Sequence, residues 1–438
     1  MSTRIGVHGT IDRMTVGPAS SNSTPPHPDP LRGPVDDWIA SLASRGEIGG
    51  LLGRPSAEQE SGGYRHTLRE IVQQPLTWIE TASALAGARD RLDGILGEVG
   101  VPAGKGAIVL TGSGSSLYAG ECLALPLQRE LRVPVQAVAA GQLLTHPCSC
   151  LPPSGPYLVV SFARSGNSPE SLAVLEELLA GDDRGRHLVV TCNREGALAR
   201  ASSHSPRVHA VVLDEKTEDK SLVMTSSFTN LVLAGAGLAS TRRPDAYLGR
   251  VESAARAAAG LLEGGRADAI ARVARGGFLS AVYVGSGCRT GSAREAALKM
   301  LEMTAGRVLT IAESFLGLRH GPMSAVHDQT LVVAFLSSDP VVRAYEVDLL
   351  GELDRKDLGI HKLVVGSAVP PGLASRPGDV IVDGAPGLPD DDLVVLDVLV
   401  GQLLAFFRCL GEGLRPDSPS ADGVINRVVE SFTIHRRH

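Results

Sequence analysis

The pattern that most constrains this 438-residue chain occurs twice. VLTGSGSS (Val109–Ser116) and VYVGSGCRTG (Val282–Gly291) are each an apolar run turning through Gly-Ser-Gly into a segment of helical periodicity. Two more runs keep the same order. LVVSFARSGNSPES (Leu158–Ser171) is echoed by LVVAFLSSDP (Leu331–Pro340), and HLVVTCN (His187–Asn193) by KLVVGSA (Lys362–Ala368). Three ordered matches predict two homologous units. Short β-branched runs alternating with helices predict that each is α/β, a mainly parallel sheet flanked by helices on both faces. In the first copy strands are expected at Ala107–Leu110, Val135–Ala139, Tyr157–Val160, His187–Thr191 and Val208–Leu213, with helices at Leu117–Arg132 and Ser168–Ala180.

The rest of the chain divides around these units. Residues 1–35 include SSNSTPPHPDPLRGP, too rich in Pro and Ser to build a core, and read as a disordered arm. Residues 36–105 read as a helical lead-in, with TLREIVQQPLTWIETASAL at helical spacing but interrupted by Pro75. The first α/β domain is expected over 106–243, a helical connection over 244–276, the second domain over 277–415, and a tail closing the site over 416–438. The second copy has lost most serines of its second loop, so a ligand held by those serines belongs to the first domain.

Composition removes several classes of function. A net charge of −6 gives no basic footprint for nucleic acid, and 4% aromatics leaves little for base stacking. Six scattered cysteines without a C-x-x-C pair fit reduced thiols in a cytoplasmic protein. No stretch reads as an eighteen-residue membrane span. No ligand cluster marks a metal, and no cofactor is expected.

The glycines invite a dinucleotide reading, which fails. The third glycine of G-x-G-x-x-G would fall at Leu117 in the first copy and Thr290 in the second, and no P-loop lysine is present. A smaller anion fits better. A strand-to-helix loop offers free N–H groups and a helix dipole. Ser115, Ser116, Ser165 and Ser168 add hydroxyl donors from two loops. Ser168 before Pro169 also has the form of an ordinary helix cap, and the two roles are compatible. Thr225, Ser226 and Ser227 form a third hydroxyl cluster, with the same two readings. In AREAALKMLEM, Glu295, Lys299 and Glu302 stand at i, i+4 and i+7 and share a helix face amid apolar neighbours. His320 lies in a Gly-Pro-bounded loop. A carboxylate and an imidazole suit proton transfer near neutrality.

Together, the paired repeats, S-x-x-R-S-G-N-S and A-L-K-x-x-E…H-G-P resemble the sugar isomerase (SIS) domains, the fold of the isomerase half of glucosamine-6-phosphate synthase. YRHTLREIVQQPLTW, TEDKSLVMTSSFTN, FLSSDPVVRAYEVDLL and NRVVESFTI bring the chain closer to the AgaS group. That group is described as galactosamine-6-phosphate deaminase/isomerase or tagatose-6-phosphate ketose/aldose isomerase. The resemblance implies two tandem SIS domains and a phosphate-binding set of Ser116, Arg164, Ser165 and Ser168, with Ser115, Thr225 and Ser226 beside it. It implies Glu302 as the base moving a proton between C1 and C2, and Lys299 one turn earlier stabilising charge on the C1 oxygen. His320 becomes the ring-opening residue, which in the synthase comes from the other subunit of a dimer. Glu430 stands where the synthase tail carries a lysine, and no glutamine-hydrolysing domain precedes the repeats.

The implied reaction is deamination and isomerisation of an amino-sugar phosphate by proton transfer and imine hydrolysis. The implied partners are a sugar phosphate and a second copy in a homodimer or larger homo-oligomer, with neither nucleic acid nor membrane. Two alternatives remain. A plain aldose–ketose isomerase would differ only in releasing no ammonia. A catalytically inactive SIS module sensing a sugar phosphate would not need Glu302 and His320, and both are present.

Overall fold

The computed structural model describes residues 30–420, 423–428, 430 and 432–435. Most of the expected arm lies outside the described residues. Of its end, Pro30–Arg32 forms a 3-10 turn and a helix starts at Val35, whose side chain is buried with that of Leu31.

Two five-stranded sheets carry the chain. The first is built from β1 (Ala107–Gly112), β2 (Val135–Ala139), β3 (Tyr157–Ala163), β4 (Gly185–Thr191) and β5 (Val208–Val212), in the order β2-β1-β3-β4-β5. The second comprises β6 (Ser280–Gly285), β7 (Leu309–Ser314), β8 (Thr330–Phe335), β9 (His361–Gly366) and β10 (Val380–Asp383), in the order β10-β9-β8-β6-β7. Every pairing is parallel. Counted within each repeat, both orders are 2-1-3-4-5, so the duplication read from sequence is a duplication of topology. The central strands β3 and β8 are buried at every position, as unbroken apolar strands covered on both faces must be.

The two glycines of each Gly-Ser-Gly have separate duties. A Cβ at Gly112 would stand 2.5 Å from that of Ser116, and one at Gly285 would collide with the Arg289 carbonyl. The second glycines, Gly114 (φ 55) and Gly287 (φ 58), take the left-handed backbone that starts each helix. The helices that follow are Ser115–Leu131 and Arg289–Met303.

The lead-in is a run of six helices, Val35–Leu42, Gly46–Leu52, Ser56–Gly62, Arg65–Val72, Gln74–Gly87 and Arg89–Glu98, and Pro75 sits in the first turn of the fifth, where its missing N–H costs nothing. The connection is also split, into Pro244–Glu263 and Gly265–Ala274. One segment departs from the sequence reading. Helix Asp390–Gly411 is long and apolar enough to cross a membrane, but 94% of its apolar window is buried inside the protein. It packs along Arg289–Met303, and only glycine fits at Gly401, where a Cβ would lie 2.5 Å from that of Ala296. On another side, Gly291 lets the same Arg289–Met303 helix approach Cys122 of Ser115–Leu131. A second-domain helix is thereby wedged against the first domain's leading helix, Ser115–Leu131.

Candidate active site

In a 2-1-3-4-5 sheet the strand order reverses between the first and third strands, and loops leaving their carboxyl ends diverge to leave a crevice. β1 and β3 lie side by side with Thr111 opposite Ser161, so the loops at 113–116 and 164–168 emerge together. Between them lies a cavity of about 540 Å³. Its first-domain wall includes Ser113, Ser115, Ser116, Arg164, Ser165 and Ser168; Glu302 enters from the second domain, and Arg427 and Glu430 from the tail.

Two helices, Ser115–Leu131 and Pro169–Gly181, point their N-termini at this space, which favours an anion there. Ser168 occupies the N-cap position of the second helix, yet its side chain makes no capping bond. Ser168 lines the cavity instead. Ser165 is more committed: its Oγ accepts from the Asn167 N–H at 3.3 Å, and Asn193 Nδ2 donates to its carbonyl at 3.1 Å.

The i, i+4, i+7 face on Arg289–Met303 becomes a buried charge cluster. Lys299 Nζ lies 3.2 Å from Glu295 Oε1 and 2.6 Å from Glu302 Oε2, and donates to Ser115 Oγ at 3.1 Å. Lys299 and Glu295 are fully buried, whereas the Glu302 side chain is 23% exposed, toward the cavity. Burial opposes the Lys299 charge, but the two carboxylates hold its pKa above the usual lysine value. Burial pushes Glu295 up to about 7, with Glu302 adding to the rise and Lys299 opposing it. The lysine therefore sits behind Glu302 and not on the cavity wall, and Ser115 joins the first domain to this cluster.

Other expected residues fall elsewhere. Arg164 lines the cavity, but Nη1 donates to the carbonyls of Ser221 (3.2 Å) and Leu222 (2.9 Å), and Nη2 to that of Arg427 (2.7 Å). It ties the β3 loop to the 219–222 loop and the tail. Thr225 and Ser226 are fully buried and do not line the cavity. They open helix Ser226–Gly237, and Asp219 serves its N-terminus by accepting from the N–H groups of Thr225 (2.7 Å) and Ser227 (2.9 Å). His320 is exposed and likewise off the cavity wall of its own chain.

Sequence reasoning missed Ser113, Leu222, Met224 and Arg427 as wall residues and Glu295 as the deepest member of the charge cluster. Ser113, inside the first Gly-Ser-Gly, carried a usable signal. Arg427 did not, because its wall position follows from its Nε donating to the distant Asp219 carbonyl at 2.8 Å. Among the described residues no His/Cys/Asp/Glu group is arranged to hold a metal ion.

No protein-family model matches the chain. Individual proteins do. An AgaS protein of Streptomyces coelicolor, described as a candidate D-galactosamine-6-phosphate deaminase, is 39% identical over 383 residues, covering 84% of this chain and 95% of that protein. A D-galactosamine-6-phosphate deaminase AgaS of Escherichia coli is 34% identical over 370 residues, with coverage of 84% and 95%. A solved structure from Clostridium novyi, described as a candidate tagatose-6-phosphate ketose/aldose isomerase, superposes with a TM-score of 0.82. It is 30% identical and covers 89% of this chain and 99% of its own.

Proposed function

The chain belongs to the AgaS family of sugar isomerase (SIS) proteins, and we propose that it converts galactosamine-6-phosphate and water to tagatose-6-phosphate and ammonia. It is an enzyme of sugar-phosphate metabolism. The observation that carries the reaction is the placement of Glu302. This second-domain carboxylate is held by a buried lysine at the rim of a first-domain cavity into which two helix N-termini point.

The 6-phosphate takes the hydroxyls of Ser116, Ser165 and Ser168 and the free N–H groups of the two helix starts. Ring opening exposes the C1 aldehyde. Glu302 then removes the C2 proton, and the C–H electron pair becomes the C1=C2 bond while charge moves to the C1 oxygen. Returning the proton to C1 draws the nitrogen lone pair into a C2=N bond, and an N–H proton passes to the C1 oxygen, leaving a C2 imine and a C1 hydroxyl. Water adds to that carbon, nitrogen departs as ammonia, and the ketose remains. Lys299 works through Glu302, holding its carboxylate in a fixed direction between steps.

Ring opening falls to His320 of a second copy, since His320 is exposed and absent from the cavity of its own chain. We assign the enzyme to the cytoplasm as a homo-oligomer; its six unpaired cysteines suit a reducing compartment.

An assay of ammonia and ketose phosphate against galactosamine-, glucosamine-, N-acetylgalactosamine- and galactose-6-phosphate tests the reaction. Equimolar ammonia and tagatose-6-phosphate from the first is expected. Isomerisation of the neutral sugar with no ammonia from any amino sugar makes the protein a plain isomerase. Mixing inactive His320→Ala and Glu302→Gln chains tests the shared site: partial recovery is expected, and confirmed mixed oligomers without activity overturn it.

A further inference from the structure

The tail wall of the cavity carries a carboxylate whose charge no described group answers. Arg164 gives its guanidinium to three backbone carbonyls. Arg427 is taken up by Glu218 at 3.2 Å and the Asp219 carbonyl at 2.8 Å. Glu302 is paired with Lys299. Glu430 lines the same cavity and forms no ion pair among the described residues; it meets only the Asn426 side-chain amide, at 3.5 Å, the outer limit of a hydrogen bond.

Such a group is a poor wall for a cavity that attracts anions. A carboxylate and a phosphate on the walls of one cavity repel, and more strongly as water between them is displaced. A phosphate ester gains from the helix N-termini and loses against Glu430, unless the same ligand brings a positive charge to the tail side. We propose that Glu430 is a specificity-determining residue that receives the 2-ammonium of an amino-sugar phosphate, making the cavity selective for a zwitterionic ligand. The identity of the cation rests on the reaction proposed above; the demand for one rests on the cavity's own charges. The arrangement also helps turnover. Once nitrogen has left C2, the product has no cation to offer, and Glu430 then repels the phosphate that remains.

The test is made without turnover. In a Glu302→Gln background, calorimetry measures the binding of galactosamine-6-phosphate, galactose-6-phosphate and inorganic phosphate, with and without Glu430→Gln. The charge removal is expected to weaken the amino sugar about five- to tenfold, as for a partly exposed ion pair. It should leave the two uncharged-at-C2 ligands unchanged or tighter, and added salt should shrink the amino-sugar preference of the Glu430 protein. Equal weakening of all three ligands, or of none, overturns the proposal. If native enzyme releases no ammonia yet the selective weakening is seen, the reaction assignment fails and the charge assignment stands.

Discussion

The two sheets share one topology and treat its reversal point in opposite ways. In the first domain the crevice between β1 and β3 is open, walled by hydroxyls, with the Ser168 side chain free of capping duty. In the second, between β6 and β8, the same place is filled from within. Buried Arg289 pairs with Asp397 (Nε to Oδ2, 2.8 Å), and Asp390 accepts from the Ser338 N–H at 2.6 Å. Asp339 caps helix Pro340–Arg355 by accepting from the N–H groups of Val341 (2.8 Å) and Val342 (3.2 Å). Where one domain leaves a helix terminus for an external anion, the other supplies its own carboxylate. In the reaction proposed above, the duplicated fold divides its labour: one copy holds the ligand and the other lends the base.

The largest test of that division is Glu302→Gln. Loss of a positioned base should lower turnover by at least about 10²–10⁴-fold while leaving phosphate-ester affinity nearly unchanged. Substantial residual activity would place the base elsewhere. Next comes the filled crevice. Arg289→Met leaves Asp397 buried without its partner and should cost about 3–5 kcal/mol in urea unfolding. Arg289→Met with Asp397→Leu should recover much of that, and a single mutant as stable as the native protein breaks the claim that this crevice is structural.

A paired comparison follows at smaller size. Ser165→Ala with Ser168→Ala should weaken sugar-phosphate binding about tenfold, through lost hydrogen bonds to a charged group. Asp339→Ala should leave binding alone and cost about 1 kcal/mol of stability, as loss of a real cap does. Exchanged outcomes would reverse the roles assigned to the two helix starts. A last test is one of pH dependence and concerns the loop beside the open crevice. Glu70 of the lead-in accepts from the N–H groups of Lys220 (2.6 Å) and Ser221 (3.2 Å), and burial followed by repulsion from Asp219 raises its pKa to about 8. Its folded pKa lies above its unfolded one. The stability it contributes is therefore complete below about pH 4.5 and is lost as pH rises through about 8. Glu70→Gln should flatten thermal stability across that window; an unchanged slope assigns the pH dependence to other groups.

The features legible in sequence were the ones with period or local chemistry. The repeated Gly-Ser-Gly revealed the duplication because both glycines answer local backbone demands, a close approach and a left-handed turn, whereas the strand order rests on long-range pairing. Glu295, Lys299 and Glu302 could be placed together because helical spacing alone decides it. Hydroxyl clusters were ambiguous. Ser168 and Thr225 read alike, and only tertiary contacts decide that one faces the cavity and the other lies buried behind Asp219. Arg164 read as an anion ligand, since nothing local reveals carbonyls from positions 221, 222 and 427 converging on it. Helix Asp390–Gly411 escaped as a membrane-like span because Asp397 and Gln402 interrupt its apolar run; both are buried and partnered, to Arg289 and Gln74.

The wedged helix has a practical consequence for engineering this scaffold. Arg289–Met303 is held at Gly291 and Gly401 with no room for a methyl group, so Glu302 rides on a shelf that tolerates little change. The tail that presents Arg427 and Glu430 is fastened mainly by guanidinium–carbonyl bonds, which depend little on side-chain identity at the carbonyl end. Grafting tails from relatives onto this fixed shelf is therefore the natural route to new substrate preferences, with Glu302 and Lys299 left in place.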